Sequence, residues 1–142
     1  MLLTLVASPQ LAQEAPPPAP PQAEAAPDPD VNEAAVRATL KQLVAAEAAC
    51  GKERAGKRAS ILELILARRL PGYLRDGEMA GYRFRLSLSD DQRGFFAVAT
   101  PLDYGRSGRR SFFADKKGVR GEDLQGQVAT SKAPLLEPAA ER

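Results

Sequence analysis

Two pairs of adjacent carboxylates, Asp90-Asp91 and Glu122-Asp123, come nearest in type and spacing to a chemical site in this 142-residue chain. Paired carboxylates can hold Ca²⁺ or divide acid and base roles. Both pairs fall where turns are expected, and Asp serves turns through hydrogen bonds to nearby backbone, so turn formation is the reading adopted. Ser107 and Ser111 have no imidazole to activate them, because the chain contains no histidine. Cys50 is the single cysteine, so neither an intramolecular disulfide nor a Cys/His metal centre can be built, and a packed hydrophobic role is expected for it. Gly105-Arg106-Ser107-Gly108 lacks the Gly-Lys-Ser ending and following helix of a phosphate loop. The sequence therefore predicts no catalytic residue, no cofactor and no metal, and a protein that is not an enzyme.

The remaining candidates are cations. Arg83, Arg85, Arg106, Arg109, Arg110, Lys116 and Lys117 lie in or beside predicted strands and loops and are the expected partner-binding residues. Net charge of +2 conceals a division: residues 1–30 hold four acidic and no basic residues, whereas residues 51–120 hold 16 basic and 8 acidic ones. Such a surface suits an acidic partner or polyanion. Phe112 and Phe113 among these cations raise base stacking as an alternative. Adjacent residues of a strand point to opposite faces, however, so at least one of the two belongs to the core.

These residues need a scaffold, and the sequence divides into three parts to supply one. Residues 1–12 contain the short apolar run Leu2–Ala7, read as a weak or truncated secretion signal; it is too short to span a bilayer. Residues 13–30 form a Pro/Ala-rich tether. Seven of the fourteen residues from Pro16 to Pro29 are proline, which excludes helix and sheet and predicts a disordered spacer reaching about 3 Å per residue. Residues 31–138 are the predicted folded domain.

Within that domain the hydrophobic period names the elements. Val36, Leu40, Leu43, Val44 and Ala48 line one face of a helix that begins near Asp30–Asn32 and stops at Gly51. Ser60 and Glu63 form a capping box for a short helix running to Leu70 and ended by Pro71-Gly72. After Gly81 the period becomes two. Tyr82, Phe84, Leu86 and Leu88 alternate with Arg83, Arg85, Ser87 and Ser89. Strands at Phe95–Thr100 and Ser111–Ala114 follow, with a short fourth strand starting at Val119 and an irregular tail after it. The fold class is α+β: an N-terminal helix packed on a 3–4-stranded antiparallel meander, because neither apolar face can bury itself alone.

The run from Asn32 to Arg120 resembles the globular domain of type IV pilin-like and type II secretion pseudopilin-like proteins. The likeness rests on Leu70–Leu74 (Leu-Pro-Gly-Tyr-Leu), Gly81–Leu86 (Gly-Tyr-Arg-Phe-Arg-Leu), Phe95–Pro101 and Arg109–Arg120, in that order and spacing. It implies a pilin-headgroup-like sheet, a structural or interaction role in a pilus or secretion assembly, protein partners of the bacterial envelope, and a periplasmic or cell-surface location. The cytoplasm is the expected location if residues 1–12 do not act as a signal. Where the family keeps a hydrophobic assembly helix, this chain has the proline run. A continuous helix cannot cross it, so the expected role is a tethered binding module rather than a standard filament subunit. A small basic domain for polyanions or nucleic acid is the alternative.

Overall fold

The computed structural model describes residues 24–138. The signal-like segment at 1–12 and the greater part of the Pro-rich tether lie outside the described residues.

Helix α1 spans Pro29–Glu53. It opens slightly earlier than its apolar period suggests, because Asp28 caps it and accepts from the Asp30 amide at 2.8 Å. Pro29 suits the first turn, where no amide partner is needed. Asn32 clamps the approach to the helix: its side chain accepts from the Ala26 amide at 2.6 Å and donates to the Ala26 carbonyl at 2.9 Å. Val36, Leu40, Leu43 and Val44 are buried as expected, but Ala48 is exposed. At 100° per residue Ala48 lies about 120° from Val36, whereas Glu47 lies only about 20° away and takes the buried position. The helix also runs through Gly51, which is close to the Arg58 guanidinium. Ala55, at φ +55°, ends it instead, and the Gly56 amide beyond it reaches the Gly51 carbonyl at 2.7 Å.

Helix α2 is Ile61–Leu66, and both halves of its capping box form at 3.2 Å. It stops short of Leu70, since Arg68 takes φ +58° and the amides of Arg69 and Leu70 both return to the Leu64 carbonyl. A 3-10 turn over Gly72–Asp76 carries the chain to the sheet.

The sheet has six antiparallel strands in sequence order: β1 Glu78–Met79, β2 Tyr82–Leu88, β3 Phe95–Pro101, β4 Arg110–Asp115, β5 Gly118–Asp123 and β6 Leu135–Pro138. Two strands beyond the predicted three or four extend it. Strand β1 has two residues, too few to show a period. It joins β2 through Ala80-Gly81, both at positive φ, the conformation of a tight two-residue hairpin. Strand β6 comes from the segment expected to be an irregular tail. It pairs with β5, and the Gly121 amide and Arg120 guanidinium bind the Pro134 and Ala133 carbonyls just before it, each at 3.1 Å.

The two faces of the sheet differ. The inner face, carrying Tyr82, Phe84, Ala97, Ala99, Phe112, Ala114 and Val119, packs with α1 into the main core. Helix α1 lies against β4 and β5. Cys50 is buried in this core, as expected of a small apolar residue. Phe112 and Phe113 part company across the sheet: Phe112 enters the main core, while Phe113 joins Val98 and Ala129 in a small cluster on the outer face, where the 124–134 segment crosses. Among the described residues no helix is long and apolar enough to cross a membrane.

Candidate interaction surface

The seven predicted cations do not converge. Arg83 and Arg85 project from the outer face of β2, beside Thr100 and Val98 of β3 in register. Arg106, Arg109 and Arg110 belong to the loop and strand start at one end of the sheet. Lys116 and Lys117 form the β4–β5 turn at the other end. Five residue steps along β4 separate the two ends, roughly 17 Å. This division follows from topology, since residues 106–117 are close in sequence but a strand runs between them.

Local partners divide the seven further. Arg110 is tied to structure: its guanidinium lies 3.6 Å from Glu33 Oε1, while Glu33 Oε2 accepts from the amides of Arg109 at 2.9 Å and Arg110 at 3.4 Å. Glu33 is buried in the second turn of α1, so this knot pins the N-terminal part of the helix to β4. Arg83 meets Glu78 at 3.4 Å and Arg106 meets Asp103 at 3.9 Å, both exposed pairs of little energetic weight. Arg85, Arg109, Lys116 and Lys117 have no carboxylate within ion-pair distance among the described residues.

Beside Arg85 the outer face holds an aromatic residue that the sequence did not single out. Phe96 is 43% exposed and stacks on Phe113, with ring centroids 5.6 Å apart and planes 13° apart. Its position is legible in retrospect: if Phe95 faces the core, Phe96 must face outward. An exposed aromatic beside an arginine is the kind of anchor that protein interfaces favour.

One member of each carboxylate pair serves a turn, whereas Glu122 lies within strand β5 opposite Ser111 rather than in the expected turn. Asp91 accepts from the Ser89 hydroxyl at 2.6 Å and the Arg93 amide at 3.0 Å, which hold its carboxyl below its ordinary range. Asp123 accepts from the Tyr104 hydroxyl at 2.7 Å and the Gln125 amide at 3.1 Å, with the same downward effect. Ser107 exchanges hydrogen bonds with the Asp103 backbone at 3.1 Å. No group of three or more His, Cys, Asp or Glu suited to a metal ion occurs among the described residues.

One titratable group stands apart. Glu47 is fully buried, and its Oε1 accepts from the Ala59 amide at 2.8 Å while Oε2 has no hydrogen-bond partner. Burial pushes its carboxyl up from the ordinary 4.5, against the pull of the Ala59 amide and the Arg58 charge. The native state therefore binds this proton more tightly than the unfolded chain. Stability linked to Glu47 is full below pH 4.5 and declines as pH rises through the raised value. Glu47→Gln is expected to remove that decline. Its stability relative to the native protein should improve from pH 4 to pH 8 in urea unfolding, and a difference independent of pH would refute the assignment.

The arrangement defines a class by architecture: a long helix on one face of a six-stranded antiparallel meander, with an Arg/Phe patch on the other face. No family model matches the chain, and no curated protein or solved structure is significantly similar to it.

Proposed function

We propose that this chain is a non-enzymatic, pilin-like interaction module of the bacterial envelope that docks on a pilus or secretion assembly. The observation that carries the reading is the outer face of β2 and β3, where the exposed Arg85 and the half-exposed Phe96 take diagonal positions beside the cluster that Val98 and Phe113 make with Ala129. The packing of α1 along β4 and β5 supports the headgroup likeness, as does the order of the strand motifs. The location is periplasmic or at the cell surface, with the Pro/Ala-rich stretch from residue 13 to the start of α1 serving as the tether. Affinity capture from envelope extracts tests the reading, with enrichment of a pilus or secretion component as its expected result.

The polyanion reading draws on the same Arg85–Phe96 pair, but the geometry favours it less. A nucleic acid needs a continuous basic track, and the seven cations occupy three separated places. A salt-insensitive interaction with single-stranded DNA, or none, accords with the protein-binding reading.

A further inference from the structure

A groove of about 780 Å³ opens between the C-terminal half of α1 and the β4–β5 turn. Its floor is apolar: Ala45, Ala48 and Ala49 from the helix, with Phe95 and Val119 from the sheet. The rim is cationic, with Lys41 and Lys52 on α1 and Arg58 and Lys116 facing them. Lys41 and Lys52 are eleven residues apart, so this wall is about 16 Å long at 1.5 Å per residue.

The charge of the rim is weakly offset. Glu137 is the one acidic residue lining the groove, and it lies 3.9 Å from both Lys41 and Arg37. Arg58 is held rigidly: it donates to the carbonyls of Glu47 at 3.0 Å and Arg93 at 3.1 Å, and its guanidinium sits 5.3 Å from the Phe95 ring centroid. None of these hydrogen-bond partners is a carboxylate; the acidic group its charge acts on is the buried Glu47, on the core side of the helix. Lys52 and Lys116 form no ion pair among the described residues.

We propose that this groove binds a single-chain amphiphilic anion, with its hydrocarbon chain on the alanine and phenylalanine floor and its carboxylate on the cationic rim. The apolar floor selects the chain, since transfer of methylene groups out of water is favourable. The rim selects the sign of the head group. The volume falls within the range of about 300–1,000 Å³ found for small-molecule sites. A soluble acid enters from solution along the open side, whereas a bilayer surface would meet only the rim.

The test is titration of the full chain with dodecanoate below its micelle concentration, followed calorimetrically. Saturable one-to-one binding is expected, at least tenfold tighter than that of undecyl maltoside, which has the same eleven-carbon tail and no charge. Ala48→Leu fills the floor at an exposed position with another good helix former and should weaken dodecanoate at least tenfold while leaving the circular dichroism spectrum unchanged. Lys52→Glu with Lys116→Glu should do the same through the rim. Arg83→Glu with Arg85→Glu, on the other face of the sheet, should bind dodecanoate as the native chain does, so the groove and the docking face are tested separately. Absence of saturable binding, equal affinity for the neutral detergent, or an unaffected Ala48→Leu variant would overturn the proposal. So would co-sedimentation with anionic phosphatidylglycerol vesicles without dodecanoate binding, which would assign the cations to surface adsorption.

Discussion

Phe112→Ala is expected to lower the unfolding free energy by about 3–5 kcal/mol, a large part of the roughly 5–15 kcal/mol that holds a domain of this kind together. Phe112 is fully buried on the inner face of the sheet, with its ring centroid 5.7 Å from that of Tyr82. Its neighbours in register are Ala99 on one side and Gly121 on the other. These small residues leave the space that the ring fills; even a methyl group added at Gly121 would come within 2.8 Å of Phe112 Cδ1. Neither of these two register neighbours is large enough to fill the vacancy. Phe113→Ala removes the same number of atoms from the smaller outer cluster, where the edge of the ring already meets solvent, and should cost clearly less. Urea unfolding of the two variants checks the contrast, and equal losses would mean that the main core is not organised around Phe112.

Gly108→Ala should cost about 3 kcal/mol, at the upper end of what overpacking one methyl group brings. A Cβ at this position would fall on the Tyr82 ring, 2.5 Å from Cε1 and 2.6 Å from Cζ. Tyr82 cannot easily yield: it is fully buried, and its hydroxyl donates to the Arg110 carbonyl at 2.6 Å. The same region holds the Glu33 knot, so displacing the ring would disturb the junction of α1 with β4. Gly72→Ala is the matched control, because nothing lies within 4 Å of a Cβ there, and its effect should be within about 0.5 kcal/mol. Thermal unfolding separates the pair, and a Gly108 variant as stable as the Gly72 variant would contradict the close approach.

The parts of this fold that the sequence disclosed are those with several turns or several alternations. Helix α1, the capped start of α2 and the strands β2 to β4 all carry repeated periods, and each stands at or within a residue or two of its expected start. Strands β1 and β6 were not legible because pairing makes them, not their own pattern: two residues follow a tight hairpin, and four residues are held by the exposed edge of β5. Glu33 and Glu47 were half legible. Both fall on the apolar stripe of α1, which is the position where a carboxylate needs a structural explanation, yet their acceptor roles depend on amides 76 and 12 residues away. The cations were legible as a list and not as a surface. Strand direction sends Lys116 and Lys117 away from Arg109 and Arg110, and a glutamate on another element takes Arg110 into the structure. Phe96 was hidden because Phe95–Ala99 is a continuous apolar run, in which no polar alternation marks which of the two rings faces outward.

The central claim is that the outer face of β2 and β3 docks a protein of a pilus or secretion assembly. The most direct measurement carries a photo-crosslinking residue at position 96 in the cells that make this chain, with adducts identified by mass spectrometry. The account predicts one dominant adduct with a component of such an assembly, lost when Arg83 and Arg85 are both replaced by Glu in a variant that still folds. No adduct with an envelope protein, or an adduct equally abundant in the charge-reversed variant, would contradict it.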